Sequence, residues 1–356
     1  MMFEEEHLFT AKNILFSTLL LVIVSCGSFQ RSSEKYHDIA ESSKCHTKRA
    51  AIDLGSGSTK LVVGLVNTCK GLVEGILFEA QRAVPLKEAL QASKENEITP
   101  SMIQKLSAVF EEFKYMADHQ GASDIKAVAT SAFRTADNGE EAAEIITDNS
   151  GIPLTIISQK DEARFAYYAA LSKTKTMKLS KKSPVAVWDI GGGSMQITKP
   201  LADGSTKVAL LKVASVPFKN LVLKELYPDG TKTPNPLTEE RALRSMDLAR
   251  FISKQEFSRF GNLKGYQVIG VGGVHYYSIG GQFKKTNRIY NQSTLLSKLL
   301  ERSKLSDKEI DSKYAVTDVT NLALVLGFMQ TLKVDQVRPL KINMAHGLLI
   351  NKDFWN

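Results

Sequence analysis

RAAIDLGSGSTKLVVGL (residues 49–65) and VAVWDIGGGSMQITKPL (residues 185–201) are the same kind of element written twice. Each has an apolar run, an aspartate, a Gly-rich turn and then an alternating strand. Aligning Asp53 with Asp189 also aligns Gly55 with Gly191, Gly57 with Gly193 and Ser58 with Ser194, at an offset of 136 residues. That spacing is too long for a solenoid repeat and predicts two related domains facing each other.

The segments downstream of each hairpin support the duplication. After the first come a third strand near 73–82 and a helix capped by Thr99, with Pro100 at its first position and Met102, Leu106, Phe110 and Phe113 on one face. IKAVAT (125–130) and LTIIS (154–158) read as buried strands, with a helix after about Asn138 between them and another over KDEARFAYYAALS. The basic, aperiodic stretch 173–184 ends in proline and marks a domain boundary. Strands near 185–190, 195–199 and 206–213 then precede helices near 217–226 and from Thr238 to Phe260. YQVIGVGGVHYYSIGG (266–281) reads as a buried strand feeding a third glycine turn, with His275-Tyr276-Tyr277 starting a helix. Residues 319–333 read as an amphipathic helix, and VRPLKINMAHGLLI as a closing strand and helix. The expected class is mixed α/β. Its expected parts are a signal peptide (1–25), a tether (26–44), an N-terminal domain (45–175) and a C-terminal domain (176–356).

With 356 residues, 43% hydrophobic and 24% charged, the composition is globular. The formal charge is +8, and because the first 25 residues hold three glutamates against Lys12, the remainder carries +10. A polyanionic partner or simply a basic surface would account for this. No dense Lys/Arg run or aromatic-basic alternation argues for nucleic acid. The apolar run Ile14–Val24 has the length of a signal-peptide core, and Ile23-Val24-Ser25-Cys26 is similar to a bacterial lipobox, with Cys26 the lipidated residue. Gly27 after that cysteine leans toward the periplasmic face of the outer membrane. The expectation is an exported chain held to a membrane by an N-terminal lipid, and a homodimer is compatible with it.

Pairing Asp53 with about Lys60 in the first hairpin sets a register in which partner numbers add to about 113, and Cys45 and Cys69 add to 114. The two cysteines would then face each other at the open end, close enough for a disulfide in an oxidising compartment. Two unpaired thiols in a reducing compartment is the alternative.

A Gly/Ser turn after a strand leaves backbone N–H groups pointing outward with no Cβ to hold a ligand away, the geometry of an anion nest. Gly55, Ser56, Gly57 and Ser58 form one such turn, Gly191, Gly192, Gly193 and Ser194 a second, and Gly270–Gly273, with Gly272 and Gly273, a third. Three purely structural turns would look the same singly. Asp53 and Asp189 beside them suit a hydrated Mg²⁺, which takes one or two carboxylates and fills its shell with water and phosphate. Lys60 lies where an ammonium would neutralise phosphate.

Asp53-Leu-Gly-Ser-Gly-Ser-Thr-Lys60, Ala129-Thr-Ser-Ala-Phe-Arg134, Ser158-Gln-Lys-Asp-Glu162-Ala-Arg164 and Asp189-Ile-Gly-Gly-Gly-Ser194 resemble, in order and spacing, the Ppx/GppA family. These are exopolyphosphatases and guanosine pentaphosphate phosphohydrolases. The resemblance covers about residues 48–350. It implies two duplicated ribonuclease-H-like domains of the actin, sugar-kinase and heat-shock chaperone superfamily, flanking a cleft. It also implies Glu162 as general base, Asp189 at the metal and phosphate site, Ser194 and the glycines as phosphate ligands, and Arg134 as a basic residue near the cleft.

The chain departs from the family pattern in several places. Lys60 stands where arginine is usual, Gly57 where asparagine is common, and INMAHGLL lacks an arginine before its glycine. Gln196 stands where glutamate usually completes the second motif, so it brings neither charge nor a proton acceptor of carboxylate strength. The leading expectation is a Mg²⁺-dependent exopolyphosphatase. A catalytically weak binder of polyphosphate or another phosphate polymer is the second, followed by a guanosine pentaphosphate phosphohydrolase and an ATP-dependent kinase. Metal-type Cys/His spacings, a nucleophile elbow and a complete dinucleotide fingerprint are missing.

Overall fold

The computed structural model describes residues 44–174, 177, 179, 180, 183–312 and 314–355. The stretches expected to be a signal peptide (1–25) and a tether (26–44), with Cys26, lie outside the described residues except for Lys44.

The first half begins with β1 (His46–Leu54), β2 (Ser58–Asn67) and β3 (Leu72–Ala83) as an antiparallel meander. α1 (Leu86–Ala92) and α2 (Pro100–His119) lead to β4 (Asp124–Ala129), and α3 (Ser131–Thr135) and α4 (Gly139–Ser150) lead to β5 (Leu154–Ile156). The sheet order is β3-β2-β1-β4-β5, with β4 parallel to β1 and β5 parallel to β4. Helix α5 (Gln159–Thr174) then crosses to the second half.

There β6 (Val185–Ile190), β7 (Met195–Pro200) and β8 (Thr206–Leu211) repeat the meander. α6 (Ser215–Leu226) and α7 (Glu239–Glu256) lead to β9 (Gln267–Val271). A π-helical turn (Val274–Ile279) and a 3₁₀ segment (Gly280–Thr286) come next, then β10 (Tyr290–Asn291), α8 (Gln292–Arg302), α9 (Asp307–Ile310), α10 (Ala315–Leu332) and β11 (Gln336–Pro339). The order β8-β7-β6-β9-β11, with β10 added at the edge, matches the first sheet strand for strand. The duplication legible in two hairpins therefore extends to both sheets.

Period-two alternation decides which residues reach the site. Ala50, Ile52 and Leu54 of β1 pack with Phe110, Phe113 and Ile146 of α2 and α4, while Ala51 faces the other way, toward Phe165 of α5. In β6, Ala186, Trp188 and Ile190 join the core under α6, α7 and α10, while Val187 faces Ala166 and Ala170 of α5. Asp53 and Asp189 continue the Ala51 and Val187 rows. One helix thus lies on the face of each sheet that carries the aspartate, and Glu162 is in its first turn.

Thr99 caps α2 as expected, accepting from the Met102 N–H at 3.4 Å, and Thr238 accepts from the Arg241 N–H at 3.4 Å. Three expectations need correction. Residues 319–333 are not amphipathic: α10 is buried on nearly every side, because α6, α7, α8 and the π-helical turn pack around it. Its length and hydropathy would suffice to cross a bilayer, yet it is the core helix of the second half. The strand near 154–158 is only three residues long and half-exposed, being the sheet edge. Helix α7 stops at Glu256, where Phe257 and Phe260 turn inward to pack edge-to-face.

The chain finally returns to the first half. α11 (Met344–Leu348) packs on α5 and on β1 and β2, and α12 (Lys352–Trp355) adds Phe354 to the same cluster. A Cβ on Gly347 would lie 2.2 Å from the Phe165 carbonyl oxygen, so only glycine lets these helices approach. The hairpin register is the expected one: Asp53 pairs with Lys60 and His46 with Asn67. Beyond it, Cys45 and Cys69 form a disulfide with Cα atoms 5.3 Å apart.

Candidate active site

The two Gly-rich turns are closed by the same bond: the Gly55 N–H donates to the Ser58 carbonyl at 3.1 Å, and the Gly191 N–H to the Ser194 carbonyl at 3.0 Å. Their outward carbonyls are also consumed in parallel. Ser56 and Gly57 accept from the N–H groups of Lys87 and Val84, and Gly191 and Gly192 from those of Ser215 and Val216. Among the described residues, the N–H groups of Ser56, Gly57, Gly192 and Gly193 donate to no protein acceptor. Oriented donors without protein partners are what an anion-binding loop requires.

The loops face each other closely. A Cβ on Gly193 would lie 2.7 Å from Ser56 Oγ and 3.0 Å from Ser131 Oγ, and one on Gly192 3.5 Å from the Gly57 nitrogen. Gly272 of the third turn has φ +85°, and a Cβ there would lie 2.4 Å from Asp189 Oδ1. Only glycine combines that backbone with contact to the aspartate. Gly57 and Gly273 border open space instead, and Lys60, Gly272 and Gly273 line one cleft together with Tyr276, Tyr277 and Lys341.

Glu162 joins the halves. Its Oε2 accepts from Arg134 at 2.8 Å, and its Oε1 accepts from Ser194 Oγ at 3.0 Å. Arg134 is itself fixed by donating to the Ile157 carbonyl at 2.8 Å. Gln159, one turn earlier, donates to the carbonyls of Met195 and Leu211 at 3.3 and 2.9 Å and so ties the start of α5 to the second sheet. Burial pushes the Glu162 carboxyl above its ordinary value, although Arg134 and Ser194 pull the other way.

The charges form a coupled set. Burial would lower the Lys60 ammonium, but Asp53 at 2.9 Å, with Asp189 and Glu162, more than offsets it and the net shift is upward. Burial, then repulsion from Glu162 and Asp53, raises Asp189 to about 7, against the attraction of Lys60. Gln196 lies opposite Asp189 across the β6–β7 ladder, is 1% exposed, and neither its amide oxygen nor its nitrogen has a hydrogen-bond partner among the described residues. A buried amide in that state is costly unless a ligand satisfies it.

All the residues expected at the site are therefore brought into one neighbourhood. Carboxylates that repel one another and an orphaned amide fit a hard divalent cation. Among the described residues, no three or more His, Cys, Asp or Glu side chains gather as a metal-ligand cluster. Sequence reasoning missed Ser131 and Gln159. Both lay within the quoted motif stretches, yet their contacts cross between domains. His275, first in the row read as a helix start, is wholly buried against Trp188 and bonded to Tyr290, and burial lowers it to about 3, so it is a neutral core residue.

A model of the Ppx/GppA phosphatase family matches residues 65–233. Exopolyphosphatase 1 of Mycobacterium tuberculosis is 27% identical over 164 residues, 45% of this chain and 44% of that protein. An uncharacterized Streptomyces coelicolor protein is 26% identical over 197 residues, 55% of this chain and 54% of that one. The chain thus spans about half the length of the curated relatives it matches. Among solved structures, the Aquifex aeolicus Ppx/GppA family member has a TM-score of 0.67 at 19% identity, covering 86% of this chain and 97% of that one. An exopolyphosphatase from Cytophaga hutchinsonii has a TM-score of 0.67 at 14% identity, covering 85% and 96%. These likenesses establish the two-domain fold.

Proposed function

We propose, from the premise that this chain belongs to the Ppx/GppA phosphatase family through residues 65–233, that it is an exopolyphosphatase-type hydrolase. It would release terminal phosphate from inorganic polyphosphate. The observation that carries the reading is Glu162: a buried carboxylate of raised pKa held between Arg134 of the first half and Ser194 of the second Gly-rich loop. A general base works best when its pKa approaches the operating pH, and burial moves Glu162 in that direction.

In this reading the free N–H groups of loops 55–58 and 191–194 bind phosphate oxygens, and Lys60 adds positive charge beside them. Arg134 and Ser194 orient Glu162, which takes the proton of a water attacking the terminal phosphorus. The new P–O bond replaces the bond to the shortened chain, which leaves with its bridging oxygen. Asp53 and Asp189 would hold Mg²⁺, which when bound neutralises charge on the transferred group. Gln196 has an acceptor for a water and a donor for a phosphate oxygen.

The test is phosphate release from long-chain polyphosphate with Mg²⁺, run beside Glu162→Gln and Gln196→Glu. Release that Glu162→Gln abolishes supports the hydrolase. A second reading, a polyphosphate-binding protein, is favoured by the uncharged Gln196. It would be supported by tight binding without release, and by activity gained in Gln196→Glu.

The Cys45–Cys69 disulfide supports an oxidising compartment, in keeping with the lipobox-like stretch ending at Cys26. Export to a membrane-anchored position favours polyphosphate over guanosine pentaphosphate, a cytoplasmic signal.

A further inference from the structure

Glu162 is held from both halves of the molecule. Its partner in the first half, Arg134, is anchored at 2.8 Å to the carbonyl of Ile157, in the segment that leads straight into α5. Base and partner therefore shift together. Its partner in the second half, Ser194, lies on a loop of the other sheet, so that bond lasts only while the first turn of α5 is held against the second half.

Gln159 supplies that hold. It is the first residue of α5 and stands three positions before Glu162, which puts the two side chains on one side of the helix. Its amide nitrogen donates to the carbonyls of Met195 at 3.3 Å and Leu211 at 2.9 Å. Met195 directly follows Ser194, and Met195 and Leu211 are partners across the β7–β8 ladder. One amide thus grips both strands next to the loop that carries Ser194. The turn between Gln159 and Glu162 is itself braced. Ser158 Oγ accepts from the Asp161 N–H at 3.1 Å and donates to its carboxylate at 2.7 Å, and the Glu162 N–H donates to the Ser158 carbonyl at 3.0 Å. Farther along α5, Ala166, Tyr167 and Ala170 pack with Val187, Ile269 and Val271. The body of the helix therefore stays on the second sheet without residue 159.

We propose that Gln159 is a positioning residue: its amide sets the first turn of α5 against the second half and so keeps Glu162 bonded to Ser194. Its effect on proton transfer from the attacking water rests on the exopolyphosphatase reading, whereas its coupling to Ser194 does not. The donated hydrogens are what matter, since both acceptors are backbone carbonyls. Gln159→Met keeps the length of the side chain and removes the donors. Gln159→Glu keeps the shape and turns a carboxylate toward the two carbonyls, which leaves them unpaired.

The first arm of the test is urea unfolding of the full-length parent, Gln159→Met, Ser194→Ala and the double variant. Gln159 and Ser194 make no hydrogen bond with each other among the described residues. Independent roles would make their effects on the unfolding constant multiply. Coupling through the first turn of α5 should leave the double variant's effect short of that product by more than about three-fold. A smaller departure would overturn the proposal. The second arm is phosphate release from long-chain polyphosphate with Mg²⁺. Gln159→Met should lower kcat roughly ten-fold and leave KM within about two-fold, because a misplaced base slows the chemical step while both loops still bind phosphate. Gln159→Glu should lower kcat at least as far, which guards against a packing defect peculiar to methionine. A plain structural tie would lower stability in both variants and leave kcat alone, and that result would overturn the positioning role. If the parent releases no phosphate, the hydrolase reading has failed, and the unfolding cycle alone decides whether Gln159 maintains the bond between Glu162 and Ser194.

Discussion

Lys60 and Gln196 occupy the same position in the two halves of the molecule. Lys60 faces Asp53 across the β1–β2 ladder, and Gln196 faces Asp189 across β6–β7. Lys60 neutralises its partner at 2.9 Å. Gln196 has no charge to offer, and Asp189, buried and repelled by Glu162 and Asp53, rises to about 7. The duplicated fold has thus diverged into one compensated aspartate and one uncompensated one.

Gln196→Lys should copy the first half onto the second. A charge-assisted bond to Asp189 is worth roughly 1.5–3 kcal/mol, so the variant should melt higher than the parent without Mg²⁺. If Asp189 holds Mg²⁺ as proposed, the ion should raise the melting temperature of the parent and leave that of the variant unchanged. Thermal melting with and without the ion checks both. A Mg²⁺ increment that survives the substitution would remove Asp189 from the set of metal holders.

Arg134→Gln should shift the pH profile in a direction fixed by sign. Arg134 favours the charged form of Glu162, so its loss raises the carboxyl further and keeps the base protonated to higher pH. The acid limb of kcat/KM for polyphosphate should move upward in the variant. A lowered rate with an unmoved limb would mean that Arg134 acts on substrate alone.

The Cys45–Cys69 bridge closes the open end of the β1–β2 hairpin across 24 positions. A loop of that size predicts about 3 kcal/mol of stabilisation from restricting the unfolded chain. Urea unfolding of the parent with and without reductant, beside Cys69→Ser, should show that loss in each case. Equal stability in all three would leave the bridge without a structural role.

Both hairpins, the register of the first and the Asp–Gly–Ser positions were legible because each depends on residues only a few positions apart. The disulfide came from the same register arithmetic. The meeting of Glu162 with Ser194 was not legible from local pattern, since it needs α5 to lie on both sheets at once. Only the family resemblance placed Glu162 at the site. The orphaned amide of Gln196 was likewise invisible: the sequence revealed the missing carboxylate, but burial and the lack of partners belong to the packed structure. Residues 319–333 are not amphipathic because the polar Thr320 and Asn321 within them are buried, and Asp318 just before them is buried too, paired with Arg302 at 2.7 Å. The return of α11 to the first sheet involves contacts between the two ends of the described chain, such as Arg49 with the Leu349 carbonyl, and no local signal encodes it.

That return is fastened by Glu79 of β3, which reaches Lys341 at 2.6 Å and His346 at 3.4 Å. The bond to His346 first, and that to Lys341 with it, outweigh burial and hold the Glu79 carboxyl down at about 2. A carboxyl depressed in the folded state adds stability that is present above its unfolded value, near 4.5, and is lost as pH falls toward 2. Partial exposure limits the contribution to about 1–2 kcal/mol. Glu79→Gln should therefore cost that amount in urea unfolding at pH 6 and almost nothing at the acid end of the window. Because the pair joins the first sheet to the segment entering α11, added salt should also narrow the gap between parent and variant at pH 6. A cost that is the same at both pH values would assign the latch to packing of the side chain and leave its charge without a part.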